Sequence, residues 1–285
     1  MPFEDLNLRE FDRSLSTEEQ KEWNAIYASY KAQSFMTGRV AGLDTIHANT
    51  VDRQKSMCFI TVIPYRVKIL IPETEIWFDE SERRPEHVLK SMFCAEIDFV
   101  ITKIDRPGGC ALASRRLALA RRRKKFKNAN HVNGDLVSCR ILAVGSKKLL
   151  AECGGYDFNL TQRDITYSMT PDLREKYRPG YTCDALLKSF DPNEGILTVS
   201  VKETEPHPFD GVEIRYPLGC RRASVITGKY GGGVFCRLDE RLDCLCIYSP
   251  YQNDRDFAIG DEVIVVITQY DYERKLVYGR IVAKW

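Results

Sequence analysis

From Ala113 to Asn130 the chain carries Arg115, Arg116, Arg121, Arg122, Arg123, Lys124, Lys125 and Lys127, and not one acidic residue. Cations packed that closely can neutralise successive phosphates of a polyanion and release its counterions, an interaction that weakens steeply with salt. The formal net charge of the 285-residue chain is only +2, so the remainder is net acidic and the cationic excess sits in this one run. With Leu117, Leu119, Ala120 and Phe126 among good helix formers and no breaker, the run predicts a helix between two domains. As a structural element alone, the same run is a solvated charged linker or a nuclear-type signal.

Other chemistry has little to build on. Gly231-Gly232-Gly233 lacks the Lys-Ser/Thr ending of a phosphate-cradling loop, and Asp239-Glu240 falls in an expected hairpin turn. No cysteine stands beside a histidine as a nucleophile pair, so no catalytic residue is expected. The ten cysteines include no Cys-x-x-Cys pair, and His47, His87, His131 and His207 keep no ligand spacing with them. No metal site, cofactor or small-molecule substrate is therefore expected. Cys244 and Cys246 share one face of a strand about 6.8 Å apart, at or beyond the reach of an unstrained disulfide. The cysteines are best explained as small buried hydrophobes of a reducing compartment.

Hydrophobic residues make up 44% of the chain and charged residues 29%, the balance of a soluble globular protein. No apolar run approaches the roughly 20 residues a membrane helix needs, and the first residues lack the apolar core of a signal peptide. A cytoplasmic location without a membrane partner is expected.

The elements that must position these residues are mostly short strands. Tyr216 to Trp285 holds five β-branched or aromatic runs broken by Gly, Asp and Asn, the pattern of a small closed β-barrel of OB type. Its landmarks recur upstream. A first-strand glycine appears as Gly38, Gly134 and Gly219, and a late strand ending in aspartate appears at Asp105, Asp191 and Asp271. Three copies follow. The expected division is 1–34 as an N-terminal helical segment, 35–115 as barrel one and 116–130 as the basic helical linker. Barrel two takes 131–205, a Pro-rich link 206–215, and barrel three 216–285. Ser16 and Glu19 have capping-box spacing ahead of Trp23, Ile26, Tyr27 and Tyr30, which predicts a helix over about 17–33 whose aromatic face either docks a partner or, the simpler reading, packs on barrel one. The fold class is mainly β: three tandem five-stranded barrels, an N-terminal helix and a basic inter-domain helix.

Gly233-Val-Phe-Cys-Arg-Leu238, then Gly260-Asp-Glu-Val-Ile-Val-Val-Ile and the Asp271 turn, resembles the RNA-binding OB domain of bacterial small-ribosomal-subunit protein one, the S-one domain. The resemblance covers residues 35–285 and is strongest in the third copy. It implies a non-enzymatic single-stranded RNA-binding protein linked to translation or mRNA handling, with the small ribosomal subunit as a further partner. Weak contacts of successive barrels would add through effective concentration. OB barrels hold single strands on the face of their second and third strands, where rings stack bases and cations meet phosphates. The candidates are Tyr230, Phe235 and Tyr248 with Lys229 and Arg237 in copy three, and Tyr156 and Phe158 with Lys147 and Lys148 in copy two. Copy one offers Phe59 and Tyr65 with Arg66 and Lys68, and Ser114-Arg115 resembles the family's fifth-strand ending. Arg115, Arg116, Arg121, Arg122, Arg123, Lys124 and Lys125 add the junction helix. Each ring could equally be a core or edge filler. The chain departs from the family where Leu70 and Ile247 replace a third-strand histidine, so not every copy need contact RNA. Two other functions fit the residues: a ribosome- or polymerase-docking scaffold with little nucleic-acid contact, and a single-stranded DNA binder of a mobile element.

Overall fold

Short runs of β-branched and aromatic residues, punctuated by turn formers, make fifteen strands in three sheets among the described residues. The structure is a computed structural model that describes residues 16–50, 53–62, 67–168 and 170–284, and only the backbone of 45–50 and 53–59. The first sheet comprises β1 (Met36–Thr50), β2 (Arg53–Val62), β3 (Lys68–Pro72), β4 (Glu96–Asp105) and β5 (Cys110–Ser114). Its order, β1-β2-β3-β5-β4, closes into a barrel through β1 against β4, with β3 and β5 parallel and every other pair antiparallel. The third sheet, β11 (Arg221–Tyr230), β12 (Gly233–Arg237), β13 (Asp243–Ile247), β14 (Glu262–Asp271) and β15 (Leu276–Lys284), repeats that topology strand for strand.

The middle sheet contains β6 (Leu136–Val144), β7 (Lys148–Cys153), β8 (Tyr156–Thr161), β9 (Thr182–Asp191) and β10 (Ile196–Ser200). It has the same order but stays open between β8 and β10, where its neighbours have their parallel pair. Side chains and one backbone bond hold that seam. At one end the Tyr156 ring packs edge-on to Phe190 at 5.5 Å. At the other, Val201 N donates to the Asp164 carbonyl at 2.8 Å. The protein is thus a mainly β chain of three five-stranded OB-type units in tandem.

The copies share details below the level of topology. A bulge interrupts the first strand at Val40/Gly42, Ile141/Ala143 and Ile226/Gly228. Beside each bulge, the residue leading into the fourth strand donates to its carbonyl at 2.8 Å: Cys94 to Val40, Gly180 to Ile141 and Gly260 to Ile226. All three donors have positive φ, and Cys94 holds 67° where the other copies use glycine.

Five α-helices are described. In α1 (Thr17–Ala32) the Ser16–Glu19 capping box is formed, and Trp23 and Ile26 pack into the barrel-one core. The Glu22 carboxylate accepts from Val67 N at 2.8 Å, and Ser29 Oγ accepts from Ile101 N at 3.2 Å, which fixes the helix to the barrel. Short helices α2 (Glu86–Lys90), α4 (Gln162–Ile165) and α5 (Val212–Arg215) lie in connections, and α3 (Arg115–Asn128) joins barrels one and two. Among the described residues no helix is long and apolar enough to cross a membrane.

Barrels one and two share a core. Leu142, Ala143 and Leu150, on the outer face of β6 and β7, belong to the apolar cluster of barrel one. Arg140 sits in the same contact, reaching Asp98 of β4 at 2.7 Å and Glu152 of β7 at 2.6 Å. Burial alone would raise the Asp98 carboxyl, but the bonds from Arg140 and Thr37 hold it below the ordinary aspartate range.

Candidate nucleic-acid interface

Alternation along a strand sends every second side chain outward. In barrel three, Cys236, Cys244, Cys246 and Val277 point into the core, which leaves Phe235, Leu245 and Tyr278 half-buried on the outside. Phe235 pairs with Leu245 and Leu245 with Tyr278, so these three stand in a row across β12, β13 and β15. Tyr230, at the end of β11, is 40% exposed, and its ring centroid lies 5.4 Å from that of Phe235. Arg280 is exposed opposite Ile247, one step along the same face. Gly233 permits this geometry, because an added Cβ would meet the Cys246 carbonyl oxygen at 2.2 Å. The result is an open apolar platform with a cation at its rim, suited to stacking unpaired bases. Tyr278 and Arg280 were not among the sequence candidates. They lie in an expected strand, but only the parallel pairing of β13 with β15 puts them beside Phe235.

The other barrel-three candidates are engaged locally. The Tyr248 ring stacks on Phe257 at 5.2 Å and its hydroxyl donates to Asp254 at 2.5 Å. Burial first, then that bond, pushes the Tyr248 phenol far above its ordinary range. Lys229 donates to the Asp254 carbonyl at 2.7 Å. Arg237 is half-buried, its Nε 4.0 Å from the carboxylate of Asp243, its partner across β12 and β13. Tyr248 and Lys229 therefore brace the loop after β13, and Arg237 edges the platform.

Barrels one and two offer no equivalent face among the described side chains. In barrel one the row across β2, β3 and β5 is Thr61, Leu70 and Leu112, without a ring. Lys68 pairs with Asp44 at 2.6 Å, the Phe59 side chain is not described, and Tyr65 and Arg66 lie outside the described residues. In barrel two Tyr156 is only 6% exposed, packed edge-on against Phe126 and Phe190, and it cannot serve as a stacking surface. Phe158 is half-buried against the same core. The outer face of β7, opposite the side that Phe158 shares with Ala151, is covered, since Leu150 and Glu152 are buried against barrel one. Lys147 and Lys148 stay exposed at the β6–β7 hairpin, on a cleft of about 700 Å³ between barrels two and three.

The basic run forms the expected helix, but the fold supplies acids that the run lacks. Arg115 is a correction to the candidate site. Its side chain is 1% exposed, makes two 2.7 Å bonds to the Asp157 carboxylate and donates to the Ile76 carbonyl at 3.0 Å. It cannot reach a phosphate. Arg116 pairs with Glu75 at 2.5 Å, Arg122 with Asp98, and Arg123 with Glu82 at 2.7 Å. Arg123 also lies 3.7 Å from the Phe78 ring centroid and donates to the Gly155 carbonyl. Arg121 donates to the Gln33 carbonyl. Lys124 and Lys125 are exposed. Helix α3 is thus mainly a strut between barrels one and two.

No family model matches the chain. Curated relatives do. The small ribosomal subunit protein bS1 of Chlamydia trachomatis is 28% identical over 109 residues, 36% of this chain and 19% of that protein. The bS1 of Coxiella burnetii is 21% identical over 271 residues, 90% of this chain and 45% of that protein. The chain is similar to bacterial bS1. It spans less than half the length of these relatives. A 4-hydroxy-3-methylbut-2-enyl diphosphate reductase of Clostridium acetobutylicum also matches at 23% identity, over 73% of this chain but 34% of that enzyme.

Proposed function

We propose that this protein is a non-enzymatic binder of single-stranded RNA that works through barrel three. The carrying observation is that one barrel alone, among the described side chains, shows rings and an outward cation on its first, second and fifth strands: Tyr230, Phe235, Tyr278 and Arg280. Barrels one and two form a fused base that carries it. Flat rings on an open face stack bases that are not paired to another strand. Similarity to bS1 supports RNA as the polymer, the small ribosomal subunit as a partner, the cytoplasm as location and a role in translation or mRNA handling.

Fluorescence anisotropy of the full chain with a labelled single-stranded RNA, its DNA counterpart and an RNA duplex tests this at about 50 and about 200 mM salt. Saturable binding of the single-stranded RNA that weakens with salt is expected, reduced by Phe235→Ala and Tyr278→Ala. No binding at the lower salt would leave the docking scaffold standing. Tighter binding of the DNA would move the assignment to single-stranded DNA.

A further inference from the structure

The cleft between barrels two and three carries charge that the barrel-three platform does not account for. Lys147, Lys148 and Arg163 line it from barrel two, and Arg241, Arg274 and Lys275 from barrel three, with Asp243 as the acid among its lining residues. Lys147, Lys148 and Arg163 are exposed and form no ion pair among the described residues. Arg274 is 4.0 Å from Asp271 and Lys275 is 3.7 Å from Asp210, both loose contacts. Arg241 is held closely by Glu205. The two walls are also tied where Ser168 Oγ donates to the Glu240 carbonyl at 3.0 Å.

Two further observations connect the cleft to a polymer. Phe235 and Leu245 line it as well, so the platform opens into the cleft without a break. The backbone at Lys275 is the second. Four residues after the turn aspartate, barrels one and two place Gly109 at φ 64° and Gly195 at φ 68°, whereas barrel three places Lys275 at φ 52°. That region favours glycine, and a lysine held there at a cationic cleft points to a use for its charge.

The geometry points to a second, contiguous subsite: the cleft takes the sugar–phosphate backbone of the strand whose bases lie on Phe235 and Tyr278. This rests on the single-stranded RNA assignment above. It assigns barrel two a binding role through its hairpin lysines and Arg163, although its strand face is covered by barrel one. A volume of about 700 Å³ lies within the range of sites that enclose small organic groups.

The test is the salt dependence of RNA affinity for the full chain, one wall at a time. Each phosphate contact on a single strand contributes about 0.7 to the slope of log affinity against log salt. Lys147→Gln/Lys148→Gln is expected to make the slope shallower by about 1.4, and Arg274→Gln by about 0.7. These side chains are exposed, and circular dichroism checks that the variants fold. Phe235→Ala is expected to lower affinity at every salt concentration with the slope unchanged. A short RNA of about four nucleotides, enough for one OB face, is expected to ignore the cleft variants. Unchanged slopes for either wall, with RNA still bound, overturn the subsite alone. A wild-type chain that binds no RNA removes the parent assignment and the subsite with it.

Discussion

Replacing Asp157 by alanine tests whether the most buried cation of the basic run is a strut or a nucleic-acid contact. The Asp157 side chain is 0% exposed and that of Arg115 1%, and their forks meet at two 2.7 Å bonds. An exposed ion pair contributes about 0–1 kcal/mol. Removing one partner of a buried pair costs about 3–5 kcal/mol, because the other charge stays desolvated. Arg115 keeps its bond to the Ile76 carbonyl, so the low end, about 3 kcal/mol, is expected. With a urea slope of about 2 kcal/mol per molar, the unfolding midpoint falls by about 1.5 M. Tryptophan fluorescence follows it, since the Trp77 ring lies 6.0 Å from the Arg115 guanidinium. Arg115→Met/Asp157→Leu, which removes both charges, is expected to recover most of the loss. RNA affinity of the folded double variant is expected to match wild type. A midpoint shift under about 0.5 M for Asp157→Ala, or RNA affinity lost in the double variant while it stays folded, would refute the strut.

Tyr278→Ala is expected to weaken RNA binding by about 1–3 kcal/mol with little change in stability. Tyr156→Ala is expected to do the reverse, costing about 3 kcal/mol of stability while the folded chain binds RNA unchanged; anisotropy and urea titration together separate the two. Lys275→Gly relieves a left-handed backbone and is expected to stabilise the chain by about 0.5–1 kcal/mol while making the salt slope shallower by about 0.7. Because Asp98 titrates low in the fold, the stability of its pairing is present above the unfolded value of about 3.9 and fades as pH falls through the lower folded value. The urea midpoint of the wild type is therefore expected to hold above about pH 5 and to drop below about pH 4, and Asp98→Asn to flatten that drop.

Much of the architecture was legible in local signals. Strand alternation and turn residues are properties of a few adjacent positions, so β4, β9 and β14 end at Asp105, Asp191 and Asp271, where the late-strand landmark ends. The turn aspartates cap their hairpins through neighbours two or three residues on, as Asp105 does for Gly108, Asp191 for Asn193 and Asp271 for Arg274. The capping box at Ser16 and the helix over the basic run were visible for the same reason.

The site was less legible, because exposure is a long-range property. Tyr156 and Phe235 look alike in sequence, each on an expected strand of its copy, yet Tyr156 packs beneath Phe126 of α3 and Phe235 stays half-open. The run from Arg115 to Lys127 reads as uncompensated, and Glu75, Glu82, Asp98 and Asp157 reach it only after the barrels close. The sequence by itself determined the strands, the turns, the three copies and the helix, because backbone preference and alternation act between near neighbours. Tertiary structure alone decided which outward face remains free and which cations remain unpaired, since the groups that cover or neutralise them lie dozens of residues away.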